Sequence, residues 1–277
     1  MISKVAAAIA LTNNPVALVW SDVAPEGALQ FKPGGWGCAA SVFGTVARKG
    51  RTAVFDRATY GCWGGGVGLG FGNCYETFPG GIDGFRGFLS DGNNKTELGC
   101  QIGRGLAEAG AKQLADDFLL GERYLKSADA TQRFLNALPM RDIPAKYVVL
   151  KPLSDVVPEV DQVKNVTFFV EPDALSALVV LANQLRPEYE NVGIPYAAAC
   201  QLLGILAYRE LESQHPRALV GLTDISARKN TRASLGRNAM SFTIPWPMFL
   251  EMEDNVENSF FQRETWRSLI GEAHNES

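Results

Sequence analysis

A run of glycines between residues 61 and 72 constrains this chain more than any other feature of its sequence. Glycine occupies seven of these twelve positions, namely 61, 64, 65, 66, 68, 70 and 72. Glycine loses more backbone freedom on folding than any other residue, and it weakens both helices and strands. The run is therefore predicted to form neither an ordinary helix nor an ordinary strand.

The same run is a candidate ligand-binding segment. It does not match the GxGxxG dinucleotide fingerprint, and the chain lacks a GKS or GKT phosphate loop. Glycines can still form an anion nest or admit a flat ligand, because no side chain obstructs its approach. The expected lining of the main cavity is Gly64, Gly65, Gly66, Gly68 and Asp56, which follows a predicted strand. A tightly packed loop and a structural ion pair between Asp56 and Arg57 are the alternatives.

Short apolar runs separated by helical segments indicate an α/β fold. Residues 16–20 and 52–55 are predicted strands on either side of a helix at 39–46, and residues 166–170 and 218–222 are predicted strands of the second half. Runs with little polar alternation are typical of sheets covered on both faces. We predict two related strand-helix-strand halves packed into one compact unit. The halves are residues 1–138 and 139–277, with a single domain as the alternative.

The two halves share a weak internal echo. The segments that begin at Cys38 and at Cys200 both run from a helix-opening cysteine through a basic turn and a strand to an aspartate, which is Asp56 in the first and Asp224 in the second. A duplication would place the two cysteine-headed helices face to face across a pseudo-twofold axis. The repetition of strand-helix-strand units in any α/β protein is the alternative.

Charge and composition exclude several classes of function. The formal net charge is −4 and the pI is about 5.4, so we expect neither a nucleic-acid partner nor binding to an anionic membrane surface. No apolar stretch is long enough to predict a membrane span, and no cleavage pattern predicts a signal peptide, so we expect a cytoplasmic location. The chain has only two histidines, so a Ser-His-Asp triad would rest on His215.

Five cysteines carry the most specific chemistry in the sequence. Their number is odd and they are widely spaced, which is unlike a disulfide framework, and no CxxC motif indicates a zinc finger. Cys38 and Cys200 stand where helices are predicted to begin, and Cys62 adjoins the glycines, so backbone N–H groups can stabilise thiolates there. The sharpest hypothesis places an iron-sulfur cluster or a single metal ion on Cys38, Cys62 and Cys200, with Cys74 as a fourth candidate. Buried, unreactive cysteines are the alternative.

A cluster of basic residues follows the predicted strand at 218–222. Four basic residues lie within one stretch of ten residues in an otherwise acidic chain, and they are Arg228, Lys229, Arg232 and Arg237. Such a cluster can receive a carboxylate or a phosphate, and Arg237 is therefore a candidate ligand-binding residue. A solvated loop is the alternative.

The cysteines and glycines from residue 38 to residue 72, the segment FFVEPDALSALVVLAN and the closing SLGRNAMSFTIPW resemble the family called domain of unknown function 169. The resemblance covers most of the chain and implies a cytoplasmic archaeal or bacterial protein with no settled activity. It also implies a further cysteine near residues 224–228, where this chain has none. That departure leaves Cys74 or an oxygen ligand for a fourth position.

Three classes of function fit the sequence. The first is an iron-sulfur or other thiolate-metal protein in redox or sensing work, with a redox partner or a small molecule as its counterpart. The second is a metal-free module that binds a small molecule, and the third is a thiol-dependent enzyme. The sequence does not decide whether any reaction is catalysed, and it does not give the oligomeric state.

Overall fold

The computed structural model describes residues 1–186 and 188–275. Contacts divide the chain into two compact units, of which the first joins residues 1–71 to residues 142–277 and the second is residues 72–141. These boundaries differ from the division between residues 138 and 139 that the sequence favours. The reason is that the first unit contains a single sheet built from strands of both sequence halves.

The strands, in chain order, are β1 (Val16–Ser21), β2 (Ala53–Phe55), β3 (Tyr147–Pro152), β4 (Gln162–Val170), β5 (Val192–Gly193), β6 (Ala218–Gly221) and β7 (Met240–Pro245). The helices are α1 (Lys4–Ala8), α2 (Ala39–Lys49), α3 (Trp63–Leu69), α4 (Gly81–Leu89), α5 (Glu97–Glu108), α6 (Lys112–Leu120), α7 (Ala128–Ala137), α8 (Pro172–Ala182), α9 (Ala199–Leu203), α10 (Ile205–Leu211), α11 (Ile225–Leu235), α12 (Trp246–Asn255) and α13 (Glu264–Asn275).

The first unit is organised by a seven-stranded mixed sheet in the order β2-β3-β1-β4-β7-β6-β5. All neighbouring pairs are antiparallel except β5 and β6. The apolar run of β1 lies at the centre, where it pairs with β3 on one side and β4 on the other. The predicted α/β class is confirmed, and the predicted strands at 16–20, 52–55, 166–170 and 218–222 all belong to this sheet.

Helices cover both faces of the sheet, as expected for strands with little polar alternation. Alternate residues of the strands, such as Val166, Phe168 and Val170 of β4, pack with α1, α8 and α12 in one large apolar cluster. Residues between them face the opposite side, where α2, α9 and α10 lie against the sheet. On that side Thr167 and Thr243 form a buried hydroxyl hydrogen bond of 3.0 Å across β4 and β7.

The second unit is helical and has an aromatic core. It begins with a 3-10 turn at Cys74–Thr77 and continues through α4 to α7. The Tyr75 and Phe85 rings are stacked with centroids 3.8 Å apart, and Phe78 packs edge-on against Phe85 at 5.2 Å. Phe118 of α6 belongs to the same cluster, since its ring stacks on that of Phe78 with centroids 6.2 Å apart.

The prediction that the glycine run forms no helix is wrong, because Trp63–Leu69 is the α-helix α3. The helix ends at Gly70, whose φ of 95° is available to glycine at little cost. Inside the helix, glycine allows another backbone to come close. A Cβ on Gly68 would lie 2.5 Å from the carbonyl carbon of Cys200 in α9. Close packing of α3 on α9 therefore offsets the poor helix propensity of glycine.

A buried carboxylate connects α10 to β6. Glu210 is 3% exposed and accepts hydrogen bonds from Arg209 at 3.0 Å and from the Arg217 guanidinium at 3.0 and 3.2 Å. Burial alone would raise the pKa of Glu210. The hydrogen bonds and charges of Arg217 and Arg209 outweigh that effect and hold the pKa below its ordinary value.

Among the helices that the structure describes, none has both the length and the apolar character needed to cross a lipid bilayer.

The first testable prediction concerns Gly68. We expect Gly68→Ala to lower the free energy of unfolding by about 1–3 kcal/mol, because the added methyl group meets fixed backbone rather than a flexible side chain. The measurement is urea unfolding followed by circular dichroism. The control is Gly271→Ala in α13, where a Cβ meets nothing within 4 Å and alanine should stabilise the helix by up to about 1 kcal/mol. A Gly68→Ala protein as stable as wild type would contradict the packing argument.

The second prediction concerns Glu210. Its folded-state pKa is lower than its unfolded value, so its ion pairs contribute fully above about pH 4.3 and are lost as the pH falls through the folded pKa. We expect Glu210→Gln to lower the free energy of unfolding by about 1–3 kcal/mol at neutral pH. Urea titrations at several pH values should show this deficit shrinking on acidification. A deficit that grows towards low pH would contradict the assignment.

Candidate functional site

Three of the five cysteines stand at the starts of three helices in the first unit. Cys38 is the N-cap of α2, Cys62 is the N-cap of α3, and Cys200 is the second residue of α9. Cys38 and Cys62 are half-buried, whereas Cys200 is buried. Each comes from a different segment of the chain, so only the fold brings them to one place.

Backbone packing brings these helix starts together. The Cys62 N–H donates to the carbonyl of Gly37 at 2.9 Å, which places the two N-cap cysteines on adjacent chain segments. A Cβ on Gly65, in the first turn of α3, would lie 3.0 Å from the Cβ of Ala39, the first residue of α2. Three residues further along α3, Gly68 lies against the backbone of Cys200. The glycines of α3 therefore allow both α2 and α9 to approach it closely.

Backbone N–H groups point at the sulfur atoms. The Gly65 N–H donates to Cys62 Sγ at 3.3 Å, and the Ala39 N–H also donates to the Cys62 thiol. The Ala40 N–H, from the first turn of α2, donates to the Cys200 thiol. Donors of this kind stabilise negative charge on sulfur, whether the charge is a free thiolate or a thiolate bound to metal.

The thiols influence one another electrostatically. Burial raises the pKa of Cys200 well above its ordinary value, and the nearby Cys62, Cys38 and Asp224 raise it further. Burial, and then the neighbouring Cys38, also raise the pKa of Cys62. Without a cation, additional negative charge at this place is unfavourable, so Cys62 and Cys200 are protonated thiols at neutral pH. A bound cation would reverse that balance.

Asp224 is an acidic group close to Cys200 that was not predicted as a site residue. It is the N-cap of α11, where its Oδ1 accepts from the Ala227 N–H at 3.2 Å. Its Oδ2 accepts from the N–H of Ala199, the residue before Cys200, at 3.4 Å. Burial raises the pKa of Asp224. The signal that was available is positional, since Asp224 opens the first helix after a strand, as Cys62 does.

As the side chains are placed, the described ranges 1–186 and 188–275 contain no group of three or more His, Cys, Asp or Glu side chains that could hold a metal ion. The other two cysteines belong to the second unit. Cys74 is buried at the start of the 3-10 turn, and Cys100 lies in α5 with its Sγ 3.3 Å from the Asn94 carbonyl.

The glycines predicted to line a cavity are part of α3. Gly65, Gly66 and Gly68 are buried and Gly64 is half-buried. A surface pocket of about 210 Å³ lies elsewhere in this unit, and its lining contains none of them. The lining residues are Leu29, Gln30, Phe31, Val42, Thr45 and Phe55.

Asp56 stabilises a turn rather than an ion pair with Arg57. Its Oδ1 accepts from the Ala58 N–H at 2.8 Å and from the Thr59 hydroxyl at 2.9 Å. Arg57 instead pairs with Asp142 at 2.6 Å. The other carboxylate oxygen of Asp56, Oδ2, accepts a hydrogen bond at 3.2 Å from Nε2 of Gln30, a residue that lines the pocket.

The basic segment after β6 has a structural part and an exposed part. The Arg228 guanidinium donates to the carbonyls of Leu222, Ala239 and Arg237, and so fixes the turn between α11 and β7. The Arg237 side chain itself is exposed, as are Lys229 and Arg232.

Comparison with known proteins adds the family. The family model described as uncharacterised ArCR, domain of unknown function 169, matches residues 4–255. A comparison with curated proteins gave no match, and a comparison with solved structures gave none either. The match spans most of the chain and confirms the resemblance seen in the sequence. The chain belongs to the family called domain of unknown function 169.

Proposed function

We propose that this protein holds an iron-sulfur cluster through Cys38, Cys62 and Cys200, and that it works in electron transfer or redox sensing. The observation that supports this most strongly is the meeting of three cysteines from separate segments, each at the start of a helix. A hydrophobic core requires apolar side chains, but it does not require three thiols that act on one another electrostatically and backbone N–H groups that donate to sulfur.

The hydrogen bonds at this place suit a cluster. Hydrogen bonds to the sulfurs and solvent exposure set the reduction potential of iron-sulfur centres. Here the Gly65, Ala39 and Ala40 N–H groups already donate to thiol sulfur. Cys38 makes no capping hydrogen bond with its side chain, so its thiol is available to turn towards a cluster. Binding requires rotation of the cysteine side chains, while the three helices supply a fixed frame.

A thiol-dependent enzyme is less well supported. A nucleophilic cysteine needs a depressed pKa, usually from a neighbouring cation or a helix N-terminus. The pKa of Cys62 and of Cys200 is raised instead, by burial and by the other thiols. A bound metal removes this obstacle because thiolates are stabilised by the cation itself.

The cytoplasmic location also remains part of this proposal. All five cysteines are free in the structure, as in proteins of reducing compartments. A reducing compartment is where an iron-sulfur protein would exchange electrons with a redox partner.

The third prediction tests the cluster. We expect protein purified without oxygen to be brown and to contain iron and acid-labile sulfide. Cys38→Ser, Cys62→Ser and Cys200→Ser should each lose most of both, because each removes one thiolate ligand. Cys100→Ser, at a cysteine of the second unit, is the matched control and should keep the full content. Cys74→Ser tests the remaining fourth candidate, because only a ligand at Cys74 would make this variant lose iron.

Other results of the metal and sulfide analysis would support the other classes of function. Zinc without sulfide, lost in the same three variants, would replace the cluster by a single thiolate-bound ion. A colourless protein free of metal, with one thiol that reacts rapidly with iodoacetamide, would support a thiol-dependent enzyme and contradict the proposal. A colourless protein whose thiols all react slowly would leave the metal-free binding module.

A further inference from the structure

The geometry points to Cys38 and Cys62 as a reversible disulfide pair, which a small-molecule disulfide oxidises. The bond that they form makes a thiol-disulfide switch at the starts of α2 and α3. This inference goes beyond the proposed function and does not depend on it, because a disulfide needs two sulfur atoms and no metal. It is carried by the backbone contacts between the two chain segments and by the exposure of both cysteines.

The backbone of Cys38 is flanked by contacts with Cys62. The carbonyl of Gly37, the residue before Cys38, accepts from the Cys62 N–H at 2.9 Å. The N–H of Ala39, the residue after Cys38, donates to the Cys62 sulfur. Standard peptide dimensions then limit the distance between the Cα atoms of the two cysteines to about 7 Å. Disulfides join Cα atoms that are about 4.4–6.8 Å apart, so the pair needs little backbone movement.

Glycines hold these two chain segments at close range. A Cβ on Gly61, the residue before Cys62, would lie 2.5 Å from the carbonyl oxygen of Gly37, so a side chain there would push the segments apart. The φ of Gly61 is 80°, a conformation that favours glycine. The ring of Phe31 packs on both glycines, since a Cβ on either one would overlap it. The residues before the two cysteines are therefore fixed against one aromatic side chain.

Both cysteines are accessible to a small molecule. Cys38 and Cys62 are half-buried, whereas Cys200 is 5% exposed. The Cys38 side chain makes no capping hydrogen bond, so its rotation breaks none. The Cys62 sulfur is held in place by N–H groups, among them that of Gly65 at 3.3 Å. The disulfide therefore forms through rotation of the Cys38 side chain, with α2 and α3 kept in place.

Cys200 is the other candidate partner, and the fold places it further along α3. Its backbone lies against Gly68. The helical rise separates Gly68 from Cys62 by about 9 Å along the axis of α3. The Cys200 sulfur accepts from the Ala40 N–H, and burial shields it from an oxidant in solution. The pair of Cys38 and Cys62 is therefore favoured over a pair that includes Cys200.

The reaction is thiol-disulfide exchange, and its oxidant is a small-molecule disulfide such as oxidised glutathione. The Cys38 thiol loses its proton and attacks one sulfur of the oxidant, which forms a mixed disulfide and releases the first small thiol. The Cys62 thiol then loses its proton and attacks the Cys38 sulfur, which forms the protein disulfide and releases the second small thiol. One oxidant molecule is reduced to two thiols, which take up the two protons. Excess reduced glutathione reverses both steps.

The disulfide changes what this part of the protein can bind. It uses two of the three thiols of the proposed cluster, so the oxidised protein no longer holds a metal through them. In a reducing compartment the pair stays reduced, and disulfides that form there are usually transient and redox-sensing. The switch therefore responds to a rise in the ratio of small disulfides to small thiols.

The experiment uses the full-length protein, reduced with dithiothreitol, separated from the reductant without oxygen and treated with oxidised glutathione. EDTA is present to capture any metal that is released, and iron and zinc are measured in the same sample beforehand. The remaining thiols are labelled with N-ethylmaleimide in denaturant and counted by intact mass. Trypsin leaves Cys62 and Cys74 on one peptide, so chymotrypsin, which cuts after Phe71, is added to identify the linked residues.

We expect the wild type to change from five labelled thiols to three, with Cys38 and Cys62 in one linked pair of peptides. Dithiothreitol should restore all five. Cys62→Ser should stop at the mixed disulfide and gain one glutathione on Cys38, because the second attacking thiol is missing. Cys38→Ser should keep its remaining thiols labelled. Cys100→Ser is the matched control, since Cys100 is also half-buried, and it should lose two labelled thiols as the wild type does.

The outcomes separate this inference from the proposed function. Five labelled thiols after treatment, or a disulfide in which Cys200 or Cys74 replaces either partner, would overturn the inference and leave the cluster to its own test. Three labelled thiols in a protein that holds neither iron nor zinc, with Cys38 and Cys62 linked, would support the inference and contradict the cluster.

Discussion

The contact between α3 and α9 is the constraint on which the rest of the first unit depends. At Gly68 two backbones meet at a distance that leaves no room for a side chain, and this contact fixes where Cys62 and Cys200 stand. Because α3 consists largely of glycine, its intrinsic helix propensity is low. The stability of α3 therefore comes from tertiary packing. The glycine run therefore serves close approach between helices.

Much of the fold was predictable from the sequence. The strand at β1 and the helix at α2 follow from apolar patterning, and uninterrupted apolar strands predicted a sheet buried on both faces. The helical state of Trp63–Leu69 was not predictable, because the partner that stabilises it lies far away in sequence, at Cys200 and Gly204. The boundaries of the second unit were not predictable either, because nothing in the amino-acid composition indicates that Phe71 and Asp142 are neighbours in the fold.

The cysteines of the candidate site were predictable from the sequence, because thiols are the side chains with the most specific chemistry in this chain. Cys38 and Cys200 were singled out from their positions at predicted helix starts and Cys62 from the glycines beside it, and the structure places all three at helix starts. Asp224 was visible only as part of the internal echo, in which it is paired with Asp56, and its hydrogen bond to the residue before Cys200 became evident only from the fold. The glycines were assigned to a ligand, and in the structure Gly65 and Gly68 lie against Ala39 and Cys200 of the chain itself.

The chain leaves the first unit after Phe71 and returns to it at Asp142. Phe71 and Asp142 form an antiparallel bridge, and the Ile143 N–H donates to the Gly70 carbonyl at 2.8 Å. Phe71 and Asp142 are therefore as close as paired residues of a β-hairpin, and a turn of a few residues could connect them in place of residues 72–141. The sheet and the helices that begin near Cys38, Cys62 and Cys200 therefore do not depend on residues 72–141 for the continuity of the chain.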